Sequence, residues 1–297
     1  MCGIVGLFLK GPKLQDELGS LLSGMLEVMS DRGPDSAGFA IYGAGAAGQV
    51  KLTLRGTDAE ALRSAVDRLG TALGSTTQPV FHDTHVVVSV PEAKEAEARA
   101  LIAAEAGVSL VGTGGAMELY KEVGLPGDVA SRFGLPAMSG THGIGHTRMA
   151  TESAVTTRGA HPFSTGTDQC LVHNGSLSNH ASLRRMLSRE GIEFATDNDS
   201  EVAAGYLTWK MREGASLSEA LEQGLGDLDG FYTFVVGTEK GFAVMRDPIS
   251  CKPAVMAETD DYVAFGSEYR ALAGLPGIET ARVFEPEPAT VYVWERP

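Results

Sequence analysis

The order of apolar and polar residues in the first forty positions predicts a strand, a helix and a second strand. An apolar run from Gly3 to Leu9 is expected to form a buried strand. Leucine and methionine then recur at helical spacing between Leu14 and Met29, which predicts a helix with one apolar face. The turn-forming segment SDRGPDSAG follows, and GFAIYG has the pattern of a strand. The start of the chain is therefore expected to be buried, although chain termini are usually frayed.

The stretch 44–139 is less regular. Apolar residues at helical spacing mark one helix in ALRSAVDRLGTAL, and AKEAEARALIAAEAG has the composition of a second. HVVVSV and VSLVGTG resemble short buried strands, so we predict a small βαβ-like elaboration. The segment MELYKEVGLPGDVASRFGL is predicted to be mostly helical, with an interruption at its glycine and proline residues.

The second half of the chain predicts strands at both ends of a helical region. GIGHTRM and CLVHNG have the pattern of strands, and helices are expected near Ser182–Arg189 and Glu201–Arg212. A third helix is expected to start at Ser216, where SLSE has the form of a capping box. The C-terminal part is mostly strand, and we find no repeat, low-complexity tract or linker. The sequence therefore predicts one compact α+β domain over residues 1–297, with the elaborated segment at about 44–139.

Composition and charge narrow the class of protein. The chain of 297 residues is 43% hydrophobic and 21% charged, which is typical of a globular domain. Its formal net charge of −14 disfavours binding to nucleic acids and to anionic membranes. No apolar run is long enough for a membrane span, and the N-terminus lacks a signal-peptide pattern, so we expect a cytoplasmic protein. The widely spaced Cys2, Cys170 and Cys251 suit reduced thiols.

Two histidines have a spacing that metal ligands can also show. His142 and His146 are four positions apart in THGIGHTR, but the two glycines disfavour a helix there. No cysteine or carboxylate stands at a supporting spacing. We therefore expect no metal site.

Cys2 is the first candidate for chemistry. If Met1 is removed, one residue carries both a thiol nucleophile and a free α-amine. The reference pKa of an α-amine, about 7.7–8.0, suits a general base near neutral pH. The base is covalently tied to its nucleophile, so no separate histidine is needed. The alternative interpretation is a small apolar residue that enters a strand.

Other segments of the chain change that balance. The segments MCGIVG, RGPDSAG, GHTRMAT, HNGSLSN and TDNDSEV occur in this order, followed by FYTFVVG, MRDPISCKP and FGSEYRAL. Together they resemble the class II glutamine amidotransferase domain, an N-terminal-nucleophile hydrolase. The resemblance covers nearly the whole chain outside 44–139. It implies a four-layer αββα sandwich of two antiparallel sheets.

The resemblance implies three catalytic residues. Cys2 matches the nucleophile that attacks the side-chain amide of glutamine. Asn174 and Gly175, in HNG, match the oxyanion hole, in which one amide side chain and one backbone N–H face the developing oxyanion. Because Asn-Gly is also a common hairpin turn, HNG has a purely structural alternative.

The resemblance also implies three substrate-binding residues. Arg148 in HTRMAT matches the arginine that binds the α-carboxylate of the substrate, a task that suits its planar fork of donors. Thr151 matches a neighbouring pocket threonine, and Asp199 matches the carboxylate that receives the α-ammonium. The structural alternatives are a surface ion pair for Arg148 and a helix N-cap for TDNDSE.

Some residues in and near the motifs have other expected roles or depart from the family pattern. Arg32, Gly33 and Asp35 are expected to shape the loop over the nucleophile, and His161 to order a nearby loop. Many family members have histidine where this chain has Glu152, which puts one pocket contact in doubt. Cys251 stands where a glycine is common, with an expected effect that is only local.

The implied reaction is hydrolysis of L-glutamine to glutamate and ammonia through a γ-glutamyl thioester, with no cofactor in this chain. Because released ammonia needs an acceptor, we expect a subunit of a heteromeric complex whose larger synthase subunit holds flavin and iron–sulfur groups. The chain looks most similar to the stand-alone amidotransferase subunits of glutamate-synthase-like enzymes such as N-methylglutamate synthase. The alternatives are a catalytically silent scaffold subunit of such a complex and another N-terminal cysteine amidohydrolase.

Overall fold

The computed structural model describes residues 2–74, 79–150 and 154–296. Within that part of the chain the helices are α1 (Leu18–Val28), α2 (Ala59–Leu73), α3 (Glu95–Ala103), α4 (Pro126–Arg132), α5 (His180–Arg189), α6 (Asp199–Arg212) and α7 (Leu217–Asp227). The strands are β1 (Gly3–Leu9), β2 (Ser36–Tyr42), β3 (Gln49–Gly56), β4 (Val80–His82), β5 (His85–Pro91), β6 (Val108–Gly114), β7 (Met117–Val123), β8 (His142–Arg148), β9 (Phe163–Gly166), β10 (Gln169–Leu177), β11 (Gly230–Thr238), β12 (Gly241–Arg246), β13 (Val255–Glu258), β14 (Tyr262–Gly266), β15 (Arg282–Phe284) and β16 (Val291–Glu295).

Two stacked antiparallel sheets form the body of the protein. The seven-stranded sheet has the order β15-β13-β14-β1-β8-β2-β7, and the five-stranded sheet has the order β16-β12-β11-β10-β9. Apolar side chains of both sheets, among them Ile4 and Val235, form the core between them. Two further cores pack α1 and α4 on the outer face of the larger sheet and α5, α6 and α7 on that of the smaller. The αββα order of layers is therefore confirmed.

Strand β1 occupies the centre of the larger sheet, paired with β14 on one side and β8 on the other. All seven of its residues are buried because its two faces meet different apolar layers. Gly3 pairs with Thr147, and a Cβ atom at Gly3 would lie only 2.7 Å from the Thr147 Oγ1. This close approach requires glycine, and it places Cys2 level with Arg148 at the end of β8.

The starts of α7 and α6 follow simple capping rules. The Ser216 side chain accepts a hydrogen bond from the backbone N–H of Glu219, and the Glu219 carboxylate accepts one from the backbone N–H of Ser216. The predicted capping box is therefore confirmed. At α6 the Asn198 side chain accepts from the backbone N–H of Ser200, so Asn198 and not Asp199 is the N-cap.

The prediction of a helix in MELYKEV is wrong. These residues form β7, which pairs with β2 from Tyr42 opposite Met117 to Ser36 opposite Val123. Met and Leu in this segment favour helices in isolation. That preference is overridden because the segment pairs with β2 and because its side chains alternate between two apolar cores, one on each face of the sheet. The helical part of the prediction is confirmed only from Pro126 onward, as α4.

Residues 49–114, here called the inserted module, have their own four-stranded antiparallel sheet in the order β4-β5-β3-β6. Helices α2 and α3 cover one face of this sheet around a separate core. The other face lies on β7, where the Lys51 Nζ is 2.8 Å from the Glu118 Oε1. The module is a βαββαβ unit, longer than the βαβ-like elaboration expected, because β4 and β5 form a hairpin.

Among the described residues, no helix combines the length and the apolarity that crossing a bilayer requires.

Replacing the N-cap of α7 tests the importance of its capping box. Ser216→Ala removes the acceptor for the Glu219 N–H, and we expect the free energy of unfolding to fall by about 1 kcal/mol. Urea unfolding followed by circular dichroism measures the change. Ser218→Ala, at the second residue of α7, is the matched control and should change the free energy of unfolding by less than about 0.5 kcal/mol. Equal losses in both variants would contradict the capping role of Ser216.

Candidate active site

A cavity of about 840 Å³ opens where the ends of β1, β8 and β10 meet the start of α6. Thr151 and the adjacent Glu152, which the sequence also singled out, lie outside the described residues. The other five residues selected as catalytic or substrate-binding all line this cavity: Cys2, Arg148, Asn174, Gly175 and Asp199.

Cys2 precedes β1 and is half-buried at the cavity wall. Its carbonyl oxygen accepts hydrogen bonds from the Arg32 Nε, at 3.0 Å, and from the Asn174 Nδ2, at 3.2 Å. The Cys2 Sγ is 3.9 Å from the carbonyl oxygen of Met149. Two donors from different parts of the chain therefore hold the backbone of the candidate nucleophile in place.

The RGPD segment, residues 32–35, contacts the backbone of two residues that line the cavity, Cys2 and Ala150. The guanidinium of Arg32 also contacts the Glu268 carboxylate at 2.6 Å, which lowers the pKa of Glu268. A Cβ atom at Gly33 would collide with the backbone of Thr147. Asp35 accepts a hydrogen bond from the backbone N–H of Ala150 at 2.7 Å. The contact between Arg32 and the Cys2 carbonyl goes beyond the loop-shaping role expected from the sequence.

Asn174 and Gly175 lie inside β10 and not in a turn. Asn174 pairs with Thr233 and Gly175 pairs with Tyr232 of β11, so the hairpin-turn alternative for HNG is wrong. Gly175 has φ +152°, and a Cβ atom there would collide with the Phe231 carbonyl oxygen. The backbone therefore needs glycine at this point, next to an amide side chain that points at Cys2.

Arg148 is the last residue of β8 and is only 6% exposed. Its Nη1 lies 3.5 Å from the carbonyl oxygen of Ala154, and the same nitrogen lies beside Gly159. This burial does not fit the alternative of a solvent-exposed surface ion pair. A buried guanidinium on a cavity wall is suited to receive a carboxylate.

Asp199, the first residue of α6, is held by groups from two elements. Its Oδ2 accepts a hydrogen bond from the backbone N–H of Leu177 at 2.9 Å, and the Ser200 hydroxyl lies 3.4 Å from its Oδ1. Because Asn198 caps the helix, the carboxylate of Asp199 is not the cap and faces the cavity. A carboxylate held in this way can accept a hydrogen bond from an ammonium group.

The connecting loop, residues 190–198 between α5 and α6, is fixed by two charged residues that the sequence did not single out. The buried Glu201 carboxylate accepts hydrogen bonds from the backbone N–H groups of Ala195, at 2.8 Å, and Thr196, at 2.7 Å. Arg184 donates to the carbonyl oxygens of Thr196 and Asn198 at 2.7 and 3.0 Å. The spacing of Glu201 from Asp199 could have indicated that both belong to one helix start. It does not indicate that the Glu201 carboxylate contacts the connecting loop.

Three buried histidines lie behind and beside the cavity. The rings of His146 and His161 stack with centroids 4.0 Å apart, and the His146 Nε2 is 3.0 Å from the carbonyl oxygen of His173. Burial lowers the pKa of His146 to about 3 and that of His173 to about 4, and it also holds the pKa of His161 well below its usual value. All three imidazoles are therefore neutral near pH 7 and add no positive charge to the cavity.

The loop at 158–162, which lines the cavity with Gly159 and His161, is tied to β7 by a buried lysine. The Lys121 Nζ donates to the carbonyl oxygens of Ala160, at 2.9 Å, and Pro162, at 3.2 Å. Burial lowers the pKa of Lys121 to about 8. On the other side of this loop, Arg158 donates to the carbonyl oxygen of Ala195 at 2.5 Å and so joins it to the connecting loop.

The remaining candidates for metal or thiol chemistry lie apart from this site. Among residues 2–74, 79–150 and 154–296, no group of three or more His, Cys, Asp or Glu side chains could hold a metal ion. The His142 Nε2 is 2.8 Å from the carbonyl oxygen of Thr238, so it is engaged in the sheet. Cys170 is buried and Cys251 is exposed, and neither lines the cavity.

Comparisons with known proteins agree on one family. A family model for a glutamine amidotransferase domain matches residues 146–274. The glutamine amidotransferase-like protein GlxB of Rhizobium meliloti (strain 1021) is 61% identical over 296 residues, which cover 99% of this chain and 98% of GlxB. A relative from Methanothermobacter thermautotrophicus, whose name also assigns it to the glutamine amidotransferases, is 34% identical over 307 residues, covering 99% of this chain and 100% of the relative.

The fold has a solved counterpart as well. Glutamine phosphoribosylpyrophosphate amidotransferase from B. subtilis superimposes with a TM-score of 0.64 at 20% identity. The superposition covers 99% of this chain and 47% of that chain, so this chain spans about half the length of the solved protein. At this level of identity the likeness concerns the fold alone.

The buried Lys121 predicts a measurable pH dependence. Because the pKa of Lys121 is lowered to about 8 from 10.5, the unfolded chain binds more protons than the folded chain between these values. The free energy of unfolding of the wild type should therefore rise, relative to Lys121→Met, as the pH goes from about 8 to about 10. Urea unfolding of both proteins across this range measures the difference.

The surface variant Lys240→Met is the control for removing one lysine. It should follow the wild type across the same pH range, because its side chain is exposed. If Lys121→Met also followed the wild type, the buried Lys121 would not have the lowered pKa.

Proposed function

Because the chain belongs to the class II glutamine amidotransferase family, we propose that it hydrolyses L-glutamine to glutamate and ammonia with Cys2 as the nucleophile. One observation carries the proposal. The Asn174 amide is held against the backbone of Cys2, in a cavity that also contains a buried arginine and an aspartate. These groups supply an oxyanion donor and binding partners for both charges of an α-amino acid.

Two opposite charges select the substrate. The Arg148 guanidinium would bind the α-carboxylate of glutamine through paired N–H donors, and Asp199 would accept the α-ammonium. The neighbouring histidines are neutral near pH 7, so they do not compete for the carboxylate. The substrate side chain then extends toward Cys2, where the γ-amide meets the thiol.

The reaction proceeds through a covalent intermediate. The α-amine of Cys2, free once Met1 is removed, takes the thiol proton, and the sulfur attacks the carbonyl carbon (Cδ) of the side-chain amide of glutamine. The electron pair of the C=O bond moves to oxygen, and the amine returns its proton to the nitrogen as the C–N bond breaks. Water, activated by the same amine, then cleaves the thioester to release glutamate and restore the thiol. Met1 lies outside the described residues.

Asn174 and Gly175 would stabilise the oxyanion of this intermediate. The Asn174 amide has two N–H bonds, and only one is needed to hold the Cys2 carbonyl. The second N–H and the backbone N–H of Gly175 are the proposed donors. Loss of one such donor typically reduces the rate by about 10²–10³-fold.

We further propose that the released ammonia is used by a partner synthase subunit, in a glutamate-synthase-like complex such as N-methylglutamate synthase. The motifs described above and the resemblance of the inserted stretch to such stand-alone subunits support this assignment. The partner would hold the flavin and iron–sulfur groups, and this chain would work without a cofactor. A cytoplasmic location, where thiols stay reduced, belongs to the same proposal.

Replacement of the nucleophile is the direct test. Cys2→Ala should lower glutamine hydrolysis by at least about 10⁴-fold, the scale on which loss of a triad member acts, while the protein still folds. Glutamate release, circular dichroism and intact mass measure these effects. Cys251→Ala, at an exposed thiol outside the cavity, is the matched control and should keep full activity.

The intact mass of the wild type should show loss of Met1 and one adduct at Cys2 after treatment with a glutamine-like electrophile. A trimmed protein with neither turnover nor labelling, even with its partner subunits, would instead identify a silent scaffold.

Replacement of Asp199 tests recognition of the substrate. Asp199→Asn keeps the shape and the acceptor for the Leu177 N–H but removes the charge that would pair with the α-ammonium. A lost charged hydrogen bond is worth about 1.5–3 kcal/mol, so kcat/KM should fall about 10–150-fold, mainly through KM. Steady-state kinetics measure both parameters. The exposed Asp16→Asn is the control, and an unchanged KM in Asp199→Asn would contradict the assigned role.

A further inference from the structure

A second polar cavity lies between the inserted module and the body, and we call it the cleft. It has a volume of about 470 Å³, within the range of about 300–1,000 Å³ that small-molecule sites occupy. Residues of α3 and β6 form one wall, and residues of β9, the connecting loop and α6 form the other. None of Cys2, Arg148 and Asp199 lines it.

Each wall of the cleft contributes one guanidinium group. Arg99, on α3, makes one half-exposed contact of 3.4 Å with Glu95, a surface pair of the kind that contributes little to stability. Arg212, on α6, donates through Nη2 to the carbonyl oxygen of Glu190 and keeps other N–H groups on the same guanidinium. An anion placed between the two walls could therefore be bound from both sides.

A buried hydroxyl in the cleft also lacks a partner. Thr113 lines the cleft from β6 and is only 2% exposed, and its Oγ1 has no hydrogen-bond partner among the described residues. Leaving a buried polar group unpaired costs free energy of folding. A polar ligand in the cleft would relieve that cost.

Two carboxylates line the cleft as well. The Glu201 carboxylate already accepts three hydrogen bonds, from the N–H of Ala195 and from the N–H and the hydroxyl of Thr196. Glu193 is exposed to solvent. The charge of Glu201 is thus directed to the connecting loop, and the charge of Glu193 is screened by water.

The connecting loop joins the cleft to the active-site cavity. Ala195 lines both cavities, whereas Thr196 and Asn198 line only the active-site cavity. Glu201 lines the cleft and holds the loop by its backbone, and Asp199 follows the loop directly. A ligand that moves Glu201 or Ala195 therefore changes the position of the residues that would bind the α-ammonium of the substrate.

We propose that the cleft is an effector site for a small organic anion that carries carboxylate groups, and that its occupation changes the affinity of the active site for glutamine. The effect on affinity rests on the proposed function, whereas binding in the cleft does not. The anion would bridge Arg99 of the module and Arg212 of the body and accept a hydrogen bond from Thr113.

Binding is tested with the full-length Cys2→Ala protein, in which no turnover disturbs calorimetry. The probes are 2-oxoglutarate, L-glutamate and inorganic phosphate. We expect a carboxylate probe to bind at millimolar or lower concentration, and Arg99→Ser and Arg212→Ser each to weaken binding at least about tenfold. Arg63→Ser, on the exposed side of α2, is the matched control and should bind as the parent does.

Three outcomes overturn the site. The first is no binding of either carboxylate probe. The second is binding that Arg99→Ser and Arg212→Ser leave unchanged, which for glutamate would place it in the active-site cavity. The third is binding of phosphate alone.

The effect on the active site is tested with the wild-type protein. A saturating carboxylate probe should shift the KM for glutamine at least threefold, and the shift should be absent in Arg99→Ser but present in Arg63→Ser. An unchanged KM while the probe is bound would overturn the coupling. A protein that binds the probe but hydrolyses no glutamine would count against the proposed function and not against the cleft.

Discussion

The hydrogen bond from the Asn174 amide to the carbonyl oxygen of Cys2 joins the two sheets at the active site. Cys2 continues β1 of the seven-stranded sheet, whereas Asn174 belongs to β10 of the five-stranded sheet. Their separation of 3.2 Å is therefore set by the apolar core between the sheets, which fixes the distance at which they stack. The distance between the candidate nucleophile and the proposed oxyanion donor is thus a property of core packing, and Arg32 also holds the Cys2 carbonyl.

Two buried charges of opposite sign hold the two loops that border the cavity. Lys121 donates hydrogen bonds to carbonyl oxygens of the loop at 158–162, and the Glu201 carboxylate accepts hydrogen bonds from N–H groups of the connecting loop. Burial of a single charge is costly, and charged hydrogen bonds of about 1.5–3 kcal/mol each offset that cost. Each charge therefore stabilises one backbone conformation, since other conformations would leave it unpaired. Arg158 then joins the two loops to each other.

The sequence predicted the parts of the site that short motifs encode, and it missed those that depend on distant contacts. Apolar periodicity and the capping box identified most helices and strands, because these features are local. The ordered motifs identified five residues that the fold brings to one cavity. The strand β7 was mistaken for a helix because its partner β2 lies some eighty residues earlier in the chain. Lys121 lies in none of the motifs, and Glu201, although it belongs to TDNDSEV, had no role assigned to it, so only the structure reveals the loops that they hold.

The stretch that contains the inserted module leaves the body after Tyr42 and returns at Met117, and these two residues face each other as neighbours in β2 and β7. Topologically, residues 43–116 take the place of a hairpin loop. The entropy of closing a loop rises only with the logarithm of its length, so an excursion of this size adds little to the cost of pairing the two strands. The body can therefore carry this module at little entropic cost while β2 and β7 keep their register.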